Sequence, residues 1–182
     1  MPINTDFRYC LRAVVACEDN ELTPQEKQII TLANLYSRQP PDIREAMVQA
    51  KWFLDCGRDG EGTSEGRQQP RVYSFAKDSE MIFAAFKQVH GIDLDTANLH
   101  WWKFIALFMA VIANQNTAFG SLVTLRLRVK TGRATKDEQR AAREMGELFD
   151  VPDVDTRSIE QKDALRRFDE LVAKAERKRK NG

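Results

Sequence analysis

Apolar residues recur at intervals of three and four along most of the chain, the spacing that places side chains on one face of an α-helix. Alternating apolar and polar residues, which would indicate strands, are scarce. The first amphipathic segment ends near Glu18, and its apolar members are Phe7, Cys10, Leu11, Val14 and Val15. The pattern predicts an all-α protein, a compact bundle of about six to eight helices with an amphipathic C-terminal helix.

Capping signals mark the start of the second helix and the limits of the third. Thr23 is a favourable N-cap, a proline follows it, and Glu26 completes a capping box. This second helix is expected to stop before Pro40, because the backbone preceding a proline disfavours helix. The third helix is predicted from about Asp42 to Cys56, with Gly57 as its terminating glycine.

The fourth and fifth helices carry most of the chain's aromatic residues. The fourth is predicted over residues 74–90 and closed by Gly91. Asp95 or Thr96 is expected to cap the fifth helix, which contains the sequence NLHWWKFIALFMAVIAN at residues 98–114. The uncharged run from Phe104 to Ala113 is ten residues long. A membrane span needs about 20 apolar residues, so a core helix, a ligand pocket or a protein-binding surface remain as interpretations.

Two faces of this fifth helix are expected to point in different directions. The first, expected in the core, carries Phe104, Leu107 and Val111, and the second carries Trp101, Ile105, Phe108 and Ile112. Burial of both faces inside one bundle is the first interpretation, since helices that are apolar nearly all round are commonly internal. The alternative is that the second face meets a neighbouring element or another chain.

Three further helices are predicted towards the C-terminus. Thr117 is expected to cap a helix through Leu127, and Thr135 a helix from Lys136 to Phe149. The last helix, Ser158 to Lys180, follows the linker DVPDVD, and its apolar stripe is Leu165, Phe168, Val172 and Ala175. A stripe this short does not stabilise an isolated helix, so this helix should dock on the same domain, a second copy or a partner.

Composition excludes several classes of protein. Apolar residues make up 42% and charged residues 30% of the 182 positions, which is sufficient for a globular core. The net charge of +1 gives no overall attraction to nucleic acid or to an anionic membrane. Cys10, Cys17 and Cys56 are too few for a disulfide framework, so a reducing cytosol is expected. No basic segment followed by an apolar run opens the chain, so no secretory signal is predicted.

The sequence carries no motif for a catalytic or metal site. It has only two histidines, no Cys-x-x-Cys pair and no His-Glu-x-x-His. The segment GRDGEGTS at residues 57–64 resembles a phosphate loop but lacks the lysine and follows a helix. No nucleophile motif such as G-x-S-x-G is present. The predictions are therefore that the chain is not an enzyme and that it uses no metal and no cofactor.

Four consecutive cations stand near the C-terminus: Arg177, Lys178, Arg179 and Lys180. They complement the dipole of a helix C-terminus, which makes a solvated helix end the first interpretation. The second interpretation is contact with phosphates, which would make the chain a helical nucleic-acid-binding protein. No aromatic residues are interleaved with these cations, so base stacking is not indicated.

Four stretches resemble a siphophage family named after a fifteenth gene product. They are R-x-x-x-A-C-E-D-x-E-L-T-x-x-E-K at residues 12–27, A-x-W-F-L at 50–54, FAKDSEMIFAAFKQVHGIDL at 75–94 and L-H-W-W-K-F-x-A-L at 99–107. The resemblance covers about residues 5–125, and no family pattern is seen beyond about Thr131. It suggests a helical core domain at residues 1–130 and a helical C-terminal extension at 131–182.

This resemblance implies a tail assembly chaperone, an interaction protein that coats the tape measure protein before the tail tube polymerises. Its partners would be the tape measure protein, the major tail protein as a second candidate, and further copies of itself. Such proteins act in the host cytoplasm and are absent from the finished virion. The residues proposed to bind a partner lie in the fifth helix and are His100, Trp101, Trp102, Lys103, Ile105 and Phe108. Neither a membrane nor nucleic acid is an expected partner.

Overall fold

The structure is a computed structural model that describes residues 1–58 and 70–151. These ranges contain seven α-helices and no strand, which confirms the all-α prediction. The helices are α1 Phe7–Glu18, α2 Pro24–Leu35, α3 Ile43–Leu54, α4 Ser79–His90, α5 Trp101–Ala113, α6 Ala118–Lys130 and α7 Lys136–Met145. The predicted helix Ser158–Lys180, the cations at 177–180 and most of the GRDGEGTS segment lie outside the described residues.

Stacked aromatic rings on α5 form the centre of the bundle. Phe104 lies 5.0 Å from Phe7 of α1 and 5.1 Å from Phe86 of α4, measured between ring centroids. One turn farther along α5, Phe108 lies 6.0 Å from Phe119 of α6. All five rings are buried. Helices α1, α4 and α6 therefore pack on α5, and the area these rings remove from water stabilises the arrangement.

Several helix ends lie where local capping signals predict them. The backbone N–H of Thr23 donates to the Glu26 carboxylate at 2.8 Å, which completes the capping box of α2. The side chains of Thr117 and Thr135 cap α6 and α7. Gly91 ends α4 in the left-handed conformation, with φ at 67°. Each of these ends depends on residues within one helical turn, so the sequence alone is sufficient to locate it.

Helix α4 begins at Ser79, so its predicted start near Ser74 is wrong. The Ser74 N–H donates to the Asp78 carboxylate at 2.9 Å, and the Ser74 hydroxyl accepts the Lys77 N–H at 3.3 Å. These bonds hold residues 75–78 in turns before the helix. Side chains of serine and aspartate compete with helical bonds in this way, and here the competition delays the helix.

Helix α5 begins at Trp101, so neither Asp95 nor Thr96 is its cap. Residues 97–100 lie outside any helix, and the chain from Leu99 to Trp101 is bonded to the N-terminal segment. The Phe7 N–H donates to the Leu99 carbonyl at 3.1 Å, and the Trp101 N–H donates to the Thr5 carbonyl at 2.7 Å. This pairing fixes the start of α1 against the start of α5. It is a contact between distant positions, which helix-capping patterns do not contain.

A fully buried ion pair joins α6 to two other parts of the chain. The Arg126 guanidinium donates to both carboxylate oxygens of Asp78, at 2.7 and 3.0 Å, and both side chains are inaccessible to solvent. Its other N–H groups donate to the carbonyls of Val72, Leu148 and Phe149 at 3.2, 2.6 and 2.8 Å. All five N–H donors of the guanidinium are therefore used. The network ties α6 to the segment before α4 and to the segment after α7.

The C-terminal part of the fold departs slightly from the predicted limits. Helix α6 continues past the predicted Leu127 to Lys130, and α7 ends at Met145, before Phe149. A 3₁₀ turn, Gly146–Leu148, follows α7. Helices α5 and α6 meet at 72°. In the described ranges no single helix is long and apolar enough to cross a membrane. Only the bent pair α5 and α6, taken together, has the length and the apolar composition of a membrane span.

Candidate interaction surfaces

The sequence LHWWKF forms the junction between the start of α5 and the end of α3. The Nδ1 atom of His100 accepts the Trp102 backbone N–H at 3.1 Å, so a histidine serves as the N-cap of α5. The indole N–H of Trp101 donates to the Leu54 carbonyl and that of Trp102 to the Phe53 carbonyl, both at 2.9 Å. Both acceptors lie in the last turn of α3, where carbonyls lack the usual helical partner. The two tryptophans therefore join two helix ends.

Helix α3 ends in a tight turn that packs against the same tryptophans. The Gly57 N–H donates to the Trp52 carbonyl at 2.9 Å, and the Cys56 N–H donates to the Phe53 carbonyl at 3.1 Å, as in a Schellman motif. Cys56 takes the first left-handed position, with φ at 60°, and the predicted glycine follows it. A Cβ on Gly57 would lie 3.2 Å from the Trp102 ring and 3.3 Å from the Trp52 ring. Glycine thus allows the backbone to approach both indoles.

Three rings at this junction form an exposed surface, which we call the aromatic patch: Trp52, Trp102 and His100. The two indoles are 40% and 37% exposed, and their centroids lie 5.7 Å apart in an edge arrangement. The His100 ring lies 5.9 Å from Trp102, and the exposed Lys103 follows in α5. Tryptophan is a large, rigid side chain that is frequent at the energetic centres of protein interfaces. The patch is therefore a candidate site for binding another protein.

The residues predicted to bind a partner divide into two groups. Trp101 and Phe108 are 2% and 1% exposed and lie in the core, and Ile105 is half-buried. The buried face of α5 is Trp101, Phe104, Phe108 and Val111, whereas Leu107 is only half-buried. Trp101 and Phe108 complete this chain's own core, which agrees with the alternative that both faces of α5 are buried inside one bundle. His100, Trp102 and Lys103 remain accessible.

A second surface, which the sequence did not indicate, lies between the C-terminal half of α2 and the start of α3. This α2–α3 groove has a volume of about 470 Å³, and its apolar lining is Ile29, Leu32, Ala33, Tyr36 and Ile43. Ile29 is 65% exposed, and Arg38 lies at the rim. Concave surfaces with an apolar lining and a few polar groups are the usual form of binding sites. The one sequence feature that bears on this groove is the adjacent pair Ile29-Ile30. Adjacent side chains point about 100° apart on a helix, so both cannot lie on the same buried face.

A third surface lies where α7 passes into the 3₁₀ turn, and we call it the α7 apolar end: Met145 and Leu148. These side chains are exposed although most residues of α7 are polar. They stand three positions apart, with Gly146 between them at φ 53° and ψ −127°, where the chain leaves the path of α7. The backbone beneath them is anchored, since Arg126 binds the Leu148 carbonyl and the Lys77 ammonium donates to the Glu147 carbonyl. The turn thus presents apolar side chains on a fixed backbone.

Residues 1–58 and 70–151 contain no cluster of side chains suited to binding a metal. Among the described residues, no group of three or more histidine, cysteine, aspartate or glutamate side chains is placed to hold a metal ion. Cys10 lies on the buried face of α1, where burial raises the pKa of its thiol to about 12. Cys17 is exposed, and Cys56 is partly covered. The sequence-based predictions of no metal, no cofactor and no catalysis stay predictions.

The thiols are expected to differ sharply in reactivity. At pH 8 iodoacetamide should label Cys17 at least about 100-fold faster than Cys10, because alkylation needs an accessible thiolate and Cys10 is neither ionised nor accessible. Mass spectrometry of peptides from the native protein measures both rates. Unfolding in urea should make the rates similar. Equal rates in the native protein would contradict the described packing of α1.

The contribution of the His100 cap to stability can be tested by two substitutions, one that removes the cap and one that keeps it. His100→Ala should lower the free energy of unfolding by about 1 kcal/mol, because the Trp102 N–H loses its acceptor. His100→Asn should retain most of the stability, since asparagine is a strong N-cap. Urea denaturation followed by far-UV circular dichroism compares the three proteins. Equal stability of the alanine and asparagine variants would show that the ring acts through packing on Phe53 and Trp102 rather than as a cap.

Comparison with known proteins identifies one match. A family model described as bacteriophage Gp15 protein matches residues 1–151. The match includes all seven helices and extends past residue 131, beyond which the sequence showed no family pattern. No curated protein and no solved structure matches the chain.

Proposed function

The chain belongs to the bacteriophage Gp15 protein family, and from this membership we propose that it is a phage tail assembly chaperone. In this role it binds the tape measure protein and keeps it soluble before the tail tube polymerises. It acts as an interaction protein in the host cytoplasm, several copies associate on one tape measure chain, and none remains in the virion. Its chemistry is non-covalent binding, without a metal or a cofactor.

The observation that carries this proposal is the accessible apolar surface of a phage-family protein. Long tape measure proteins have extended apolar faces, and a chaperone must cover such faces with apolar side chains of its own. The aromatic patch provides two exposed indoles on a backbone fixed by hydrogen bonds from both tryptophans of α5. A fixed patch loses little conformational entropy on binding, which favours affinity.

We place the first contact with the tape measure protein at the aromatic patch. The indole faces of Trp52 and Trp102 would cover apolar side chains of an amphipathic helix. The exposed Lys103 at the edge would meet acidic residues on the polar face of the same helix. Trp52 is the better position to alter, because within residues 1–58 and 70–151 its indole N–H forms no hydrogen bond, whereas Trp102 also caps α3.

The test is co-expression of the full chain with the tape measure protein of its own phage. The wild-type chain should keep the tape measure protein soluble, and Trp52→Lys should reduce the soluble fraction at least about tenfold, given that interface tryptophans contribute about 2 kcal/mol or more. Leu127→Lys on α6 is the control, because Leu127 is exposed to the same degree, 41% against 40%. An insoluble tape measure protein with the wild-type chain would refute the proposal and favour the nucleic-acid interpretation of the cations at 177–180.

A further inference from the structure

We propose that the α2–α3 groove receives the α7 apolar end of a second copy of this chain, so that copies associate head to tail. The inference rests on the proposed function, in which several copies act on one tape measure protein. It assigns the contact between copies to two surfaces that differ from the aromatic patch. The occupant of the groove is therefore this protein itself rather than the tape measure protein.

The two surfaces are complementary in polarity. The groove exposes Ile29 and Ile43 above a floor formed by Tyr36, whose hydroxyl is already bonded to the Ala46 carbonyl. The apolar part of the lining therefore favours apolar side chains in an occupant. Met145 and Leu148 meet this requirement, because both side chains are apolar and exposed where α7 ends.

The charges beside these surfaces are opposite. Arg38 lies at the groove rim, and Glu147 lies between the two apolar residues of the α7 end. Both side chains are exposed, and neither forms an ion pair within residues 1–58 and 70–151. Insertion of the α7 apolar end would bring this carboxylate to the groove, where an arginine is the preferred partner. The ion pair between Arg38 and Glu147 then favours contact of the groove with the α7 apolar end over other contacts between copies.

Because the two surfaces lie on different helices, one copy can contact two other copies at the same time. Helix α2 packs mainly on α1 and α3, whereas α7 packs mainly on α6 and the 3₁₀ turn. One copy therefore offers its groove and its α7 end on separate helices. A contact between two different surfaces leaves one of each unused at the ends of every assembly, so further copies add until a rotation closes a ring.

The backbone of the α7 end is held in place before any contact forms. The Leu148 and Phe149 carbonyls accept bonds from the buried Arg126, and the Lys77 ammonium donates to the Glu147 carbonyl. The turn is therefore ordered in the single chain, and its insertion into a groove costs little backbone entropy.

Two blocked variants of the full chain test the proposal without the tape measure protein. Ile29→Asp blocks the groove and Leu148→Asp blocks the α7 end, and both positions are exposed, so folding should persist by circular dichroism. Each variant alone should self-associate at least about tenfold more weakly than the wild type. An equimolar mixture should form a 1:1 dimer and nothing larger, because one intact groove and one intact end remain. Val48→Asp is the control, since Val48 is 63% exposed on α3 but does not line the groove.

A charge exchange provides the second test. Arg38→Glu and Glu147→Arg should each weaken assembly alone, and mixing these two variants should restore assembly, because each groove then meets an opposite charge. A wild-type chain that stays monomeric, or blocked variants that assemble alone or fail to pair when mixed, would overturn the proposal. These outcomes are measured by light scattering on this chain only. They are therefore distinguishable from failure of the proposed function, which is measured by the solubility of the tape measure protein.

Discussion

Replacing Arg126 with methionine is expected to lower the free energy of unfolding by about 3–5 kcal/mol. The substitution leaves the Asp78 carboxylate buried without its cation. It also removes the donors to the Val72, Leu148 and Phe149 carbonyls. A buried charge without a partner is costly because it has lost water and gained nothing in exchange. Urea denaturation of the purified chain measures the loss.

Three further variants separate the causes of this effect. Arg126→Lys should recover only part of the stability, because an ammonium has three donors where the guanidinium uses five. Removing both charges, with Arg126→Met and Asp78→Leu together, should cost less than Arg126→Met alone. Arg128→Met is the matched control on the same helix. Its ion pair with Glu138 is partly exposed, so a loss below about 1 kcal/mol is expected. A similar loss in both arginine variants would contradict the buried network.

Gly120→Ala is expected to lower the free energy of unfolding, which is the opposite of the usual effect of this substitution in a helix. Alanine inside a helix normally stabilises it by about 1 kcal/mol relative to glycine. At Gly120 an added Cβ would stand 2.1 Å from the Asn114 carbonyl oxygen and 2.8 Å from its carbon. Because both atoms are backbone, α5 and α6 must separate at their 72° corner to admit the methyl group. We expect a net loss of about 1–3 kcal/mol, as for other overpacked sites.

Thermal and urea unfolding of Gly120→Ala measure this loss. Ser121→Ala is the control, because Ser121 is the next residue of α6 and its hydroxyl makes only an exposed bond to the Gln115 carbonyl. Its effect should stay within about 1 kcal/mol. A Gly120→Ala variant more stable than the wild type would mean that the α5–α6 corner is wider than described.

The sequence predicted the features that depend on neighbouring residues. The capping box of α2, the Thr135 cap of α7 and the terminating Gly91 lie where they were expected, since each is a pattern within about one helical turn. The starts of α4 and α5 were wrong for the opposite reason. The segment before α5 bonds to the chain's N-terminus, and the Asp78 carboxylate that accepts the Ser74 N–H before α4 is also held by Arg126 of α6. The contact with the N-terminus and the pair with Arg126 join positions far apart in sequence.

The candidate binding surfaces also depend on contacts between distant parts of the chain, which the sequence patterns do not predict. Helix α5 is apolar nearly all round, so periodicity does not decide whether Phe108 or Leu107 faces the core, and only packing on α6 and α4 does. Arg126 and Arg128 look equivalent in the sequence, but the first is buried and the second exposed. The α2–α3 groove arises from the relative placement of two helices, and no motif in either helix encodes it.

The most direct measurement for the central claim is size exclusion with light scattering on this full chain co-expressed with the tape measure protein of its own phage. A chaperone that binds through accessible apolar surfaces should give a soluble complex with several copies of this chain on each tape measure protein. Elution of this chain alone, with the tape measure protein left insoluble, would contradict the account.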